Sequence, residues 1–61
     1  HRRSIIVSKR IESGETLTLD NLAIKRPGIG IKPKHIDKIL GKKVRKSCDA
    51  ESLLEWSNIV E

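Results

Sequence analysis

A chain of 61 residues has room for one domain and no more. Its single cysteine, Cys48, excludes an internal disulfide, and one cysteine with two histidines falls short of the about four Cys/His ligands of a structural zinc site. Thirteen basic and eight acidic residues leave a net charge of +5, which points to an anionic partner, but Trp56 is the only aromatic residue, so single-stranded nucleic acid has no stacking platform.

Ser4-Ile5-Ile6-Val7-Ser8 is β-branched and flanked by basic residues, and reads as a short buried strand. Glu12-Ser13-Gly14-Glu15 is a turn in which Gly14 can supply a positive φ. Thr16-Leu17-Thr18 is a short extended piece, and Thr18 is placed to cap one helical turn, Leu19-Asp20-Asn21-Leu22, with Leu19 and Leu22 on one side. Ala23-Ile24-Lys25 returns as a strand. Arg26-Pro27-Gly28-Ile29-Gly30 is a rigid loop, with Pro27 fixing φ and the glycines freeing it. The spacing of Ile36, Ile39 and Leu40 predicts a helix over Pro33–Leu40, with Pro33 at its first position and Gly41 as its stop. Two turns cannot persist alone in water, so this helix must dock on strands. Val44 begins a further short strand.

Charge is blocked by segment. Residues 1–10 hold Arg2, Arg3, Lys9 and Arg10 and no acid, residues 11–20 hold Glu12, Glu15 and Asp20, and residues 51–61 hold Glu51, Glu55 and Glu61 and no base. Such short blocks predict opposed strands and turns exchanging surface ion pairs, each worth ~0–1 kcal/mol.

The second half echoes the first at an offset of 37 residues: Val7 with Val44, Lys9 with Lys46, Ile11 with Cys48, Glu12 with Asp49, Leu17 with Leu54, Asn21 with Asn58 and Leu22 with Ile59. Two units are too few for a solenoid; they predict two half-motifs packed about a pseudo-two-fold axis. On this pattern Cys48 is a small buried apolar residue rather than a reactive thiol. Glu51 stands where the first half has Gly14, so the two turns are expected to differ in backbone conformation.

No catalytic constellation is present: there is no nucleophile elbow, no phosphate-cradling loop and no pair of carboxylates at a useful spacing. Gly28-Ile29-Gly30 lacks the strand–helix context of a nucleotide loop. His1 falls at a ragged end, His35 is expected to face solvent, and Trp56 is expected to pack rather than to serve as a ligand platform. The expected site is therefore a binding site. Arg26, beside the stiff Pro27-Gly28 frame, presents a five-donor fork suited to a carboxylate, an amide carbonyl or a phosphate.

Arg3-Ser4-Ile5-Ile6-Val7, Ile11-Glu12-Ser13-Gly14-Glu15-Thr16-Leu17-Thr18, Asp20-Asn21-Leu22, Lys25-Arg26-Pro27-Gly28-Ile29-Gly30-Ile31 and Leu40-Gly41-Lys42-Lys43-Val44 occur in that order. This ordered series resembles the C-terminal antifreeze-like (SAF) domain of the sialic acid, legionaminic acid and pseudaminic acid synthases. The resemblance implies a mainly β fold of short strands and helical turns, a β-clip with an internal pseudo-two-fold. It implies a parent enzyme with a barrel domain that condenses phosphoenolpyruvate with an N-acetylmannosamine-type sugar and uses a divalent metal held in that barrel. It also implies that this domain bridges a homodimer and closes the partner subunit's site, where Arg26, supported by Pro27 and Gly28, contacts the sugar N-acetyl group. No catalytic residue, cofactor or metal is expected in residues 1–61 themselves. Two departures, Cys48 and Glu51, stand where the family's pattern has an apolar residue and a glycine.

The absence of methionine leads to the expectation of a domain excised from a longer chain. No apolar run approaches the roughly 20 residues of a membrane span, and no signal-peptide core is seen; with one free cysteine, a cytoplasmic setting is expected. The same fold occurs in fish type III antifreeze proteins, but Lys9, Glu15, Asp20 and Lys43 charge the corresponding stretches, so ice binding is not expected. The alternatives are a binding module of another SAF-domain protein, such as a dehydratase or a flagellar or pilus assembly factor, and salt-sensitive nonspecific anion binding driven by the net charge.

Overall fold

In the computed structural model, which describes residues 2–61, the β-branched run forms strand β1 (Ser4–Val7). It pairs antiparallel with β2 (Leu22–Lys25), Val7 opposite Leu22 and Ser4 opposite Lys25. Residues 52–54 line its other edge: Val7 N–H donates to Ser52 O at 2.9 Å, Leu54 N–H donates to Ile5 O, and Ile6 bridges Leu53. Flanked on both edges, all four residues of β1 are buried. β3 (Lys43–Val44) pairs antiparallel with β4 (Ile59–Val60) in the same manner, Val44 opposite Ile59.

The 37-residue echo is a structural symmetry. The Val7–Leu22 pair maps onto Val44–Ile59. Gly14 N–H donates to Val44 O (2.9 Å) as Glu51 N–H donates to Val7 O (2.7 Å). Ser8 N–H to Asn21 O is matched by Arg45 N–H to Asn58 O, and Val44 N–H to Glu15 O by Val7 N–H to Ser52 O. On the axis, Ile11 and Cys48 exchange both backbone hydrogen bonds, at 3.0 and 2.8 Å. Each half thus borrows an edge from the other, and neither can satisfy its backbone alone.

The core is built from both halves. Ile5, Val7, Ile11, Leu17, Leu22, Ile31, Ile39, Val44, Leu54 and Ile59 form one cluster, with Ile36, Leu40 and Cys48 packed against it. The predicted helix begins as a 3-10 turn (Pro33–His35) and continues as one α-helical turn, α1 (Ile36–Ile39). Pro33 sits at its start, and the chain leaves it through Gly41 at φ 87°. Ile39 is fully buried, so tertiary docking holds a segment too short to stand alone. Ion pairs join the charge blocks across the surface: Lys9 with Asp20, Arg10 with Glu12 and Asp49, Lys25 with Glu51, and Lys42 with Glu61.

Several expectations are corrected. The two turns do not differ: Glu51 adopts φ 66° beside Gly14 at φ 84°, because the same symmetry-related hydrogen bond holds each. The expected turn after Thr18 forms but stops after one hydrogen-bonded turn and does not reach Leu22. Thr18 Oγ1 caps it as expected, taking the Asp20 N–H at 3.2 Å, and Asn21 N–H donates to Thr18 O at 3.3 Å. Asn21 Oδ1 takes the Thr18 N–H at 2.9 Å in return, while its amide donates to Thr16 O at 3.0 Å. Leu22 enters β2 and Leu19 stays 72% exposed; the equivalent residues in the second half, Trp56–Asn58, do form a 3-10 turn. His35 is partly buried rather than solvent-facing, meeting Trp56 edge to face at 5.6 Å between ring centres. Cys48 is partly rather than fully buried, because its Sγ is drawn into hydrogen bonds with Asn58 Nδ2 (3.2 Å) and Lys46 O (3.5 Å). Burial raises its thiol pKa, in keeping with an unreactive cysteine. His1 lies outside the described residues.

Candidate functional site

The loop carrying Arg26 leaves β2 at Lys25 and returns to the core at Ile31. Ile31 O accepts the Ile5 N–H at 2.9 Å, so both ends of the loop are fixed to the β1–β2 pair. Between them, Ser4 acts as a clamp. Its hydroxyl donates to Pro27 O at 2.5 Å and accepts the Gly30 N–H at 2.9 Å. Ser4 is fully buried, so these bonds are shielded from competing water. The Arg26–Pro27 peptide is cis.

The loop glycines serve a purpose the sequence does not disclose. Neither Gly28 nor Gly30 has a positive φ, so conformational freedom is not their role. A Cβ at Gly28 would overlap the Arg2 backbone, lying 2.8 Å from its carbonyl carbon, and one at Gly30 would press Leu53 at 3.0 Å. Absence of a side chain lets the loop lie directly against the N-terminal segment.

Arg26 itself is exposed. Its neighbour Lys25 is engaged elsewhere, pairing with Glu51 at 2.9 Å. Ile29, at the loop's outer bend, is 76% exposed, and Trp56 is 46% exposed across a shallow depression that both help to line. The site is an exposed guanidinium at the start of a clamped loop whose outer bend lines that depression. It can orient a polar ligand. Among the described residues no group of three or more His, Cys, Asp or Glu is placed to hold a metal ion. The sequence singles out Arg26, Pro27 and Gly28, which are consecutive in the loop that Ser4 clamps through Pro27 O. It misses Ser4 and Arg2, since nothing in a strand-like run separates a clamping serine from a solvated one.

The SAF domain family model matches residues 2–60. Pseudaminic acid synthase of Helicobacter pylori is 40% identical over 57 residues, which cover 93% of this chain and 17% of that protein. N,N'-diacetyllegionaminic acid synthase of Legionella pneumophila is 33% identical over 58 residues, covering 95% of this chain and 16% of that one. The chain therefore spans less than a fifth of the length of these curated relatives. Among solved structures, the solution structure of an antifreeze protein like domain in the human N-acetylneuraminic acid phosphate synthase gene superposes with a TM-score of 0.91 at 25% identity, covering 95% of this chain and 75% of that one.

Proposed function

The chain belongs to the SAF domain family, and from that membership we propose that it is the accessory domain of a sialic-acid-type synthase, bridging a homodimer and closing over the partner subunit's active site. In this reading the parent condenses phosphoenolpyruvate with an N-acetylmannosamine-type sugar, and Arg26 donates to the carbonyl oxygen of the sugar's N-acetyl group. The domain's contribution is positioning and exclusion of water rather than bond-making. Any divalent metal and all bond-making groups belong to the barrel of the parent, and no step runs through a metal in this chain. Cytoplasmic residence accompanies the reading; among the described residues no helix is long and apolar enough to cross a membrane.

The observation that carries the proposal is the clamped loop. A buried serine bonded to two points of the loop and a glycine laid against backbone together fix the loop that begins at Arg26. An exposed arginine with no positional task has no use for such a frame, whereas one that must meet a small group across a subunit boundary loses less freedom on binding when its base is rigid.

The test is synthase activity of the full-length parent with phosphoenolpyruvate and N-acetylmannosamine, wild type against Arg26→Ala. The expected result is at least a tenfold loss of kcat/KM, about 1.4 kcal/mol or more of transition-state binding. Unchanged kinetics in the variant would remove Arg26 from the site.

A further inference from the structure

Four cations that are far apart in sequence meet in one cleft. The backbone of Arg2 packs on Gly28, and Ile5 is bonded to Ile31, so the flank of β1 runs beside the segment entering the 3-10 turn. Between them lies an open cleft of about 330 Å³ lined by Arg2, Arg3, Gly28, Lys32, Pro33 and Lys34. No acid lines it. Lys9, Arg10, Lys25 and Lys42 each pair with a carboxylate, whereas Arg2, Arg3, Lys32 and Lys34, like Lys38, Lys43, Arg45 and Lys46, make no ion pair with any described residue; the first four are distinguished by lining one cleft together. The positive field reaches the next side chain: after partial burial, Lys38, Lys34 and Lys32 are what hold His35 below the usual imidazole pKa. Gathering like charges without counter-charges opposes folding.

We infer that this cleft is a binding site for a phosphate group. The two guanidinium groups offer forked pairs of N–H donors and the two ammonium groups act as point charges. A carboxylate, with one charge and two oxygens, is matched by a single fork. A phosphate dianion has the charge and the oxygens to engage several cations at once. No aromatic side chain lines the cleft, so recognition is of the phosphate and not of a stacked base. The inference is independent of the function proposed above, since it concerns residues of this chain alone.

The experiment is a titration of the ¹⁵N-labelled 61-residue chain with inorganic phosphate, pyrophosphate and glycerol phosphate, at ionic strength held constant with sodium chloride. Saturable amide shifts confined to residues 2, 3, 28, 32 and 34 are expected. The double variant Lys32→Ala/Lys34→Ala should weaken binding about tenfold or more, the size of losing charge-assisted hydrogen bonds. A control with the same loss of net charge, Lys43→Ala/Lys46→Ala, should bind as wild type; all four lysines are exposed, and dispersed spectra establish that both variants are folded. Equal weakening in the two variants, shifts spread over every cation, or the same shifts with chloride would overturn the site in favour of bulk charge. Tighter binding of glycerol phosphate assigns the site to an organic phosphate, and equal or tighter binding of inorganic phosphate assigns it to the free ion.

Discussion

Ser4 shows how much one side chain can decide. A hydroxyl inside an otherwise apolar strand joins two points of the Arg26 loop, Pro27 O and Gly30 N–H. Ser4→Ala leaves both groups without that partner, and the expected cost is ~1–3 kcal/mol. Gly28→Ala forces a methyl group onto the Arg2 backbone, with an expected cost of ~1–3 kcal/mol from overpacking. Thermal unfolding of both variants checks this, and midpoints equal to wild type would mean that the loop is not held where it is described. His35 offers a test by pH. Partial burial first, then Lys38, Lys34 and Lys32, lower its pKa from the usual 6.5. The unfolded chain therefore takes up this proton at higher pH than the folded one. The resulting stability is complete above about pH 6.5 and is lost as pH falls through the lower folded value. Unfolding midpoints should decline as pH falls below about 6.5, and His35→Gln should flatten that decline.

At the scale of elements, the paired turns are the informative case. Gly14 and Glu51 occupy equivalent places and both have a positive φ. Nothing lies within 4 Å of a Cβ added at Gly14, so Gly14→Ala isolates the cost of a side chain in the left-handed region, expected at about 1 kcal/mol. Glu51→Gly removes that cost from the second turn and loses only the exposed pair with Lys25, worth ~0–1 kcal/mol; it should stabilise the domain by up to about 1 kcal/mol. Denaturant titration reads both signs, and destabilisation by Glu51→Gly would mean that the carboxylate contributes more than an exposed pair. β1, β2 and β3 were legible in the sequence, and the helical segment from its i, i+3, i+4 spacing and its flanking Pro33 and Gly41; β4 was not read as a strand. The early end of the turn after Thr18 was not legible, because Leu22 is drawn out of it into β2 opposite Val7, a partner supplied by another part of the chain.

At the scale of the whole molecule, the two halves form a single cooperative unit. Each supplies an edge for the other, and their apolar side chains share one core. Leu17 and Leu54 are symmetry mates, both essentially fully buried. Truncation of either to alanine is expected to cost ~2–5 kcal/mol, comparable to the ~3–5 kcal/mol that a core of this size supplies. Both Leu17→Ala and Leu54→Ala should therefore lose the dispersed amide spectrum of a folded domain, and selective loss of signals from one half alone would contradict a shared core.

The amino-acid sequence by itself determined the class of fold, the two-fold repeat, the positions of β1, β2, β3 and the helical segment, and Arg26-Pro27-Gly28 as the place to look for a site. The class of fold was carried by the ordered series of fragments that resembles the SAF domain, the repeat by the 37-residue echo, and the rest by local composition and spacing within one stretch of chain. Tertiary structure alone decided the clamp by Ser4, the spatial rather than conformational need for Gly28, the left-handed Glu51, the His35–Trp56 contact and the meeting of Arg2 and Arg3 with Lys32 and Lys34. Each of these depends on which distant segment lies alongside, and a residue's type does not encode the identity of a neighbour more than 20 positions away until the shared core has closed around both.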